Sequence, residues 1–172
     1  MLGLTDVSVR STEGDADGRW GDGIVMVDGA VVRGERLRVE DSRRFGVLVA
    51  NGSDFDGTAL TVRRTQPEAC RPDRCPTESG YGVGLGTSNG GRARVSRFLV
   101  EASTLCGLLV EDGTELDVTD GEVRTAEIGA CVQATGYDIA RLSTRVAYHD
   151  VGRTLDATTL PVPSLPDPLG GL

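Results

Sequence analysis

The chain has 172 residues, with 26 acidic against 18 basic side chains (formal charge -8), 4% aromatics and 24 glycines. That acidic balance argues against nucleic acid and anionic membrane surfaces as partners, since both attract basic faces. The longest apolar runs are a handful of residues, which excludes a membrane span, and the scarcity of aromatics favours a core of Val, Leu and Ile in many short strands.

The opening MLGLTDVSVR lacks the basic start and apolar segment of a signal peptide. Residues 4–10 read as a first strand, and the acidic loop 11–22 follows. Within it Glu13, Asp15, Asp17 and Asp22 sit around Gly18 in a spacing like half of a calcium loop. The twelfth position, which should hold Glu, is Ile24, so a solvated acidic loop is the commoner outcome for such a stretch. Asp15, Asp17 and Asp22 are the weak calcium candidates, and no other cofactor is implied.

From Gly23 onward the chain reads as short apolar runs, each opened by a glycine: Gly23, Gly46, Gly82, Gly107 and Gly129. Their spacings are 23, 36, 25 and 22 residues, the long one containing an excursion over 66–80. Each run ends in a corner: Asp28-Gly29, Asn51-Gly52, Asn89-Gly90, Asp112-Gly113 and Thr135-Gly136. The inward set is Ile24, Met26, Val47, Val49, Val83, Leu85, Leu108, Val110, Ala130 and Val132. Strict alternation then puts Val25, Leu48, Leu109 and Cys131 outside, an apolar column that calls for cover by the tail, the excursion or another subunit. Self-association through Val25, Leu48 and Leu109 is the last of these.

A second strand follows each corner, marked by Val9, Val39, Val62, Val100, Val123 and Tyr148. The residues after these markers are Arg10, Glu40, Arg63, Glu101, Arg124 and His149, so charge alternates along a column if neighbours stack in parallel at about 4.8 Å. A third short strand places Val31, Phe55, Ala93, Leu116 and Ile139 inward. Its outward flanks read Asp54, Arg92, Glu115, Asp138 on one side and Asp56, Arg94, Asp117 on the other.

Cys70 and Cys75 bracket CRPDRC, and the short spacing with Pro72 inside it and Pro76 just after favours a small disulfide loop. Cys106 points inward and Cys131 outward on strict alternation, so no bridge is expected between them and Cys106 is read as a buried thiol. Tyr137 to Leu142 has the look of one short helical turn. Residues 160–172, LPVPSLPDPLGGL, form a Pro-rich tail or strap.

The apolar run followed by an Asx-Gly corner, at 23–29, 46–52 and 107–113 and more weakly at 82–90 and 129–136, resembles the right-handed parallel β-helix proteins of the pectate-lyase-like superfamily. The resemblance implies an all-β fold, a right-handed parallel β-helix (β-solenoid) of about five to six rungs with loop excursions. The domain would run over 1–159, with insertions at about 11–22 and 66–80 and a tail at 160–172. The abrupt start at Leu4 favours the C-terminal end of a longer solenoid.

Asp54, Asp56, Arg92, Arg94, Glu115 and Asp117 are the candidate catalytic and binding residues, with Asp138 added for binding. Lyases of this family hold calcium on carboxylates and use an Arg or Lys base, and inverting glycosidases need two carboxylates about 6.5–9.5 Å apart. The alternation of sign favours instead an ion-pair ladder. The sole histidine, His149, lacks a nucleophile motif and reads as a surface residue beside a carboxylate. The expected function is a non-catalytic secreted or surface scaffold in the extracellular space or cell envelope, with a glycan or another protein as partner. The alternatives are a polysaccharide lyase or glycoside hydrolase fragment, and a self-assembling structural subunit.

Overall fold

The computed structural model describes residues 1–16, 18–69 and 82–156. Its strands are β1 (Leu2–Thr5), β2 (Ser8–Arg10), β3 (Ile24–Met26), β4 (Val31–Glu40), β5 (Phe45–Val49) and β6 (Asp54–Thr65). They continue with β7 (Val83–Thr87), β8 (Arg92–Val110), β9 (Glu115–Thr119), β10 (Gly121–Val132) and β11 (Val146–Asp156). A 3₁₀ helix, Ile139–Leu142, precedes β11.

Hydrogen bonds join these into one eleven-stranded sheet with the order β1-β4-β6-β8-β7-β5-β3; β2 adds to β4, β9 to β8, and β10 lies between β8 and β11. The named pairings are all parallel. The sheet curls strongly into a half-barrel. This corrects the expected parallel β-helix of five to six stacked rungs: the chain is a single curled sheet, not a solenoid. The physical reason lies in the long strands. β6, β8 and β10 run on for 12, 19 and 12 residues, bending at left-handed residues such as Ala59, Arg97, Ala102 and Thr125 without losing their neighbours. β8 holds β6 along its first part and β7 along its last, which makes one continuous surface.

The register of the second strands is the one read from sequence. Val9 pairs with Val39, Val39 with Val62, Val62 with Val100, Val100 with Val123, and Val123 with Tyr148. The third strands are displaced by one residue at their start: Val32, not Val31, aligns with Phe55, Ala93 and Leu116. Val31 is accordingly 44% exposed and Val32 4%. Ile139 falls in the 3₁₀ helix, which supplies Leu142 to the core.

The main core holds Met26, Val47, Val49, Leu85, Leu108, Val110, Ala130 and Val132 together with the second-strand valines, and Ile24 packs against it. Glycines make this approach close. A Cβ on Gly46, Gly84 or Gly107 would lie 2.2 Å from a methyl of Val62, Val100 or Val123. Gly84 therefore occupies the place that the sequence reading gave to Gly82.

Val83 belongs to a second cluster with Phe45, Leu48, Cys106, Leu109, Ile128 and Cys131. Leu48, Leu109 and Cys131 are thus buried, and of the expected outer apolar column Val25 is exposed. Cys106 and Cys131 are joined by a disulfide, with Cα atoms 6.0 Å apart, which corrects the expected free thiol. Alternation slips at each glycine. Gly107 and Leu108 both face the main core, so Cys106 and Leu109 share the other side. Cys106 stands opposite Ile128, and Leu109 opposite Cys131. Such a cross-link fits an oxidising, extracellular-like setting. No helix among the described residues is long and apolar enough to cross a membrane. The expected Cys70–Cys75 bridge, Asp17 and the tail 160–172 lie outside the described residues.

Candidate functional site

The outward face of β4, β6, β8 and β9 carries three columns of residues, polar except for Val31. Alternating burial along these strands puts Phe55, Ala93 and Leu116 inside and leaves the residues on either side of each facing outward. The first column runs Val31, Asp54, Arg92, Glu115; the second Arg33, Asp56, Arg94, Asp117; the third Glu35, Thr58, Ser96, Thr119. The structure therefore brings together all six of the candidate residues Asp54, Asp56, Arg92, Arg94, Glu115 and Asp117. They line a shallow depression of about 360 Å³. A second depression of about 530 Å³ shares Asp56, Arg94 and Asp117 and extends over Thr58 and Ser96. Together they make one open groove across the strands.

Most of the carboxylates on this face are engaged. Arg92 donates from Nε and Nη2 to the two oxygens of Asp54 at 2.6 and 2.8 Å. That fork holds the Asp54 carboxyl below the usual carboxylate range. Arg141, from the 3₁₀ helix, reaches over the edge strand. It donates to Asp117 at 2.7 Å and to Glu115 at 2.9 Å. Its hydrogen bonds hold the Asp117 carboxyl down as well. The Arg141 guanidinium lies 5.7 Å from the Tyr137 ring, and the Tyr137 hydroxyl donates to the Leu116 carbonyl, closing that edge of β9. Burial pushes the Tyr137 hydroxyl up to about 12.

The second column differs. Arg33 and Asp56 form no ion pair among the described residues, and Arg94 approaches Asp117 no closer than 3.9 Å. Asp138 stands apart from the groove, where its carboxylate accepts from the Ala140 amide at 3.0 Å and caps the 3₁₀ helix.

The other charged columns also pair within the chain. Arg63 meets Glu101 at 2.9 Å and Arg10 meets Glu40 at 3.3 Å. His149 faces Glu122 at 3.2 Å. At the corners, Arg36 forks onto Asp6 and Arg64 onto Asp41, at 2.6 and 2.9 Å in each case, and Arg145 does the same to Asp120.

In the acidic loop Asp15 pairs with Arg19 at 3.3 Å. Asp22 is bound to Arg44, whose Nε lies 2.9 Å from its Oδ1. Arg44 is buried and its guanidinium stacks 4.4 Å from the Trp20 ring. Among the described residues no group of three or more His, Cys, Asp or Glu side chains is arranged to hold a metal ion.

Sequence reasoning missed Arg33, Arg141 and the buried Arg44. Placing Val31 inward hid Arg33 from its column, whereas Arg44 directly precedes an apolar run and carried no signal of burial. No family model matches the chain, and no curated protein or solved structure is significantly similar to it.

Proposed function

We propose that this protein is a non-catalytic interaction and scaffold module that presents the groove of β6, β8 and β9 to a polar partner, in the extracellular space or cell envelope. The observation that carries the reading is the engagement of the acidic candidates by arginine: Asp54 by Arg92, and Asp117 with Glu115 by Arg141. Hydrolysis of a glycosidic bond needs one carboxyl held protonated as the acid and a second free to act as base or nucleophile. Arginine forks do the opposite at Asp54 and Asp117, which they keep ionised and occupied, and Asp56 is left as a single carboxylate without an ion pair among the described residues. The openness of the groove suits an extended partner, and the hydroxyls of Thr58, Ser96 and Thr119 beside Asp56 suit a polar one such as a glycan. The buried Cys106–Cys131 bridge supports the compartment.

The test is to incubate the protein with acidic and neutral polysaccharides and follow chain length and new unsaturated ends. Unchanged chains are expected. Shortening that disappears in Asp54→Asn or Asp117→Asn would overturn the reading.

A further inference from the structure

The second column, read in strand order, is Arg33, Asp56, Arg94, Asp117. An alternating column with an even number of members has a geometric property: reversed, it is its own complement. Laid face to face on a second copy in reverse strand order, Asp56 meets Arg94, Arg94 meets Asp56, and Arg33 meets Asp117. In the first column Asp54 falls opposite Arg92 and Val31 opposite Glu115, and the third sets Thr58 opposite Ser96 and Glu35 opposite Thr119. No like charges face each other in any of the three.

A two-fold axis parallel to the strands and midway between β6 and β8 produces this arrangement, because it reverses strand order and keeps each residue level. An axis perpendicular to the strands within the interface plane would instead put Asp56 against Asp56, which is repulsive. Arg141, the next positive charge beyond Asp117, falls opposite Gly3, the β1 neighbour of Arg33.

We propose that two copies of this chain dock through this face about that axis, forming an isologous dimer. The inference rests on reading the face as an interaction surface and names its partner. Arg33 and Asp56, which form no ion pair within the protomer among the described residues, gain partners across the interface. The footprint, four strands at about 4.8 Å by five residues at about 3.3 Å, is about 300 Å² per protomer. That is below the roughly 800 Å² of a standard stable interface, so the dimer is weak and dependent on charge.

Sedimentation velocity over a range of protein concentrations, in low salt and in about 1 M salt, tests it. The wild type should dimerise with concentration in low salt and become monomeric in high salt. Asp56→Arg should weaken association on the order of tenfold or more by setting like charges opposite. The double exchange Asp56→Arg/Arg94→Asp should restore self-association, because its column is again complementary to itself, yet this variant should not associate with wild type. A wild type that stays monomeric in low salt would overturn the proposal. So would a dimer indifferent to Asp56→Arg, or a double exchange that melts like wild type and remains monomeric. Should the exchange not fold, the wild-type salt dependence decides alone. A monomer that leaves polysaccharides intact removes this inference and spares the reading beneath it; shortened polysaccharides remove that reading whatever the sedimentation shows.

Discussion

β5 and β9 are strands of equal length in the same sheet, and they are built on opposite rules. Every residue of β5 is buried, as is every residue of β7 beside it. In β9 buried and half-buried residues alternate. A parallel strand covered on both faces needs an apolar residue at each step, whereas one covered on a single face needs it at every second step. FGVLV obeys the first rule and ELDVT the second. The closed region carries the disulfide and the contacts of Gly46, Gly84 and Gly107 with valine methyls; the open region carries the groove and its charges. Stability is concentrated in the first, and recognition is free to be built on the second.

The largest loss should come from crowding the closed region. Gly107→Ala drives a Cβ to within 2.2 Å of a Val123 methyl and 2.7 Å of the Gly129 carbonyl oxygen. Backbone on one side leaves little room to relax, so thermal unfolding should show a cost of about 3 kcal/mol or more. Replacing both Cys106 and Cys131 by Ala opens a bridge spanning 25 residues. Denaturant titration should show a loss of about 3 kcal/mol.

Glu111 lies at the border, just past the buried end of β8, and burial pushes its carboxyl from 4.5 up to about 7. A carboxyl raised in the folded state stabilises below its unfolded value, and that stability is lost as pH rises through the folded one. Glu111→Gln should therefore gain in melting temperature relative to wild type as pH is raised from about 5 to about 8. A constant difference would show that the site is not apolar in effect.

The smallest effect is expected on the open face. Arg92 and Asp54 are both exposed beyond a third of their side-chain surface, so Arg92→Gln should barely move the melting temperature. A large loss there would erase the contrast between the two regions.

The sequence made the lateral alignment legible because it was written in several independent columns. The valines of the second strands and the alternating charges beside them agree on one register, and the pairings of Arg63 with Glu40 and Glu101 follow it. Architecture was less legible. Period-two reading stops a strand at each corner, but a residue such as Ala59 or Arg97 can turn left-handed and let the strand continue. That is how expected stacked rungs became one curled sheet. The same rule assigned Leu48, Leu109 and Cys131 to solvent. The signal against it was present, since GVLVA, GLLV and GACV are apolar without interruption, the mark of burial on both faces. Of the groove, six residues were legible from alternation, while Arg141 arrives from a helical turn that no strand pattern reaches.

The most direct test of the central claim, that the charged face is where this protein meets its partner, is to follow backbone amide shifts by NMR as its own concentration rises in low salt. Changes confined to Asp54–Thr58, Arg92–Ser96 and Glu115–Thr119, and absent in high salt, are the predicted result. Shifts that cluster on Phe45–Val49 and Val83–Thr87 instead would contradict it, and none at all would remove the proposed dimer.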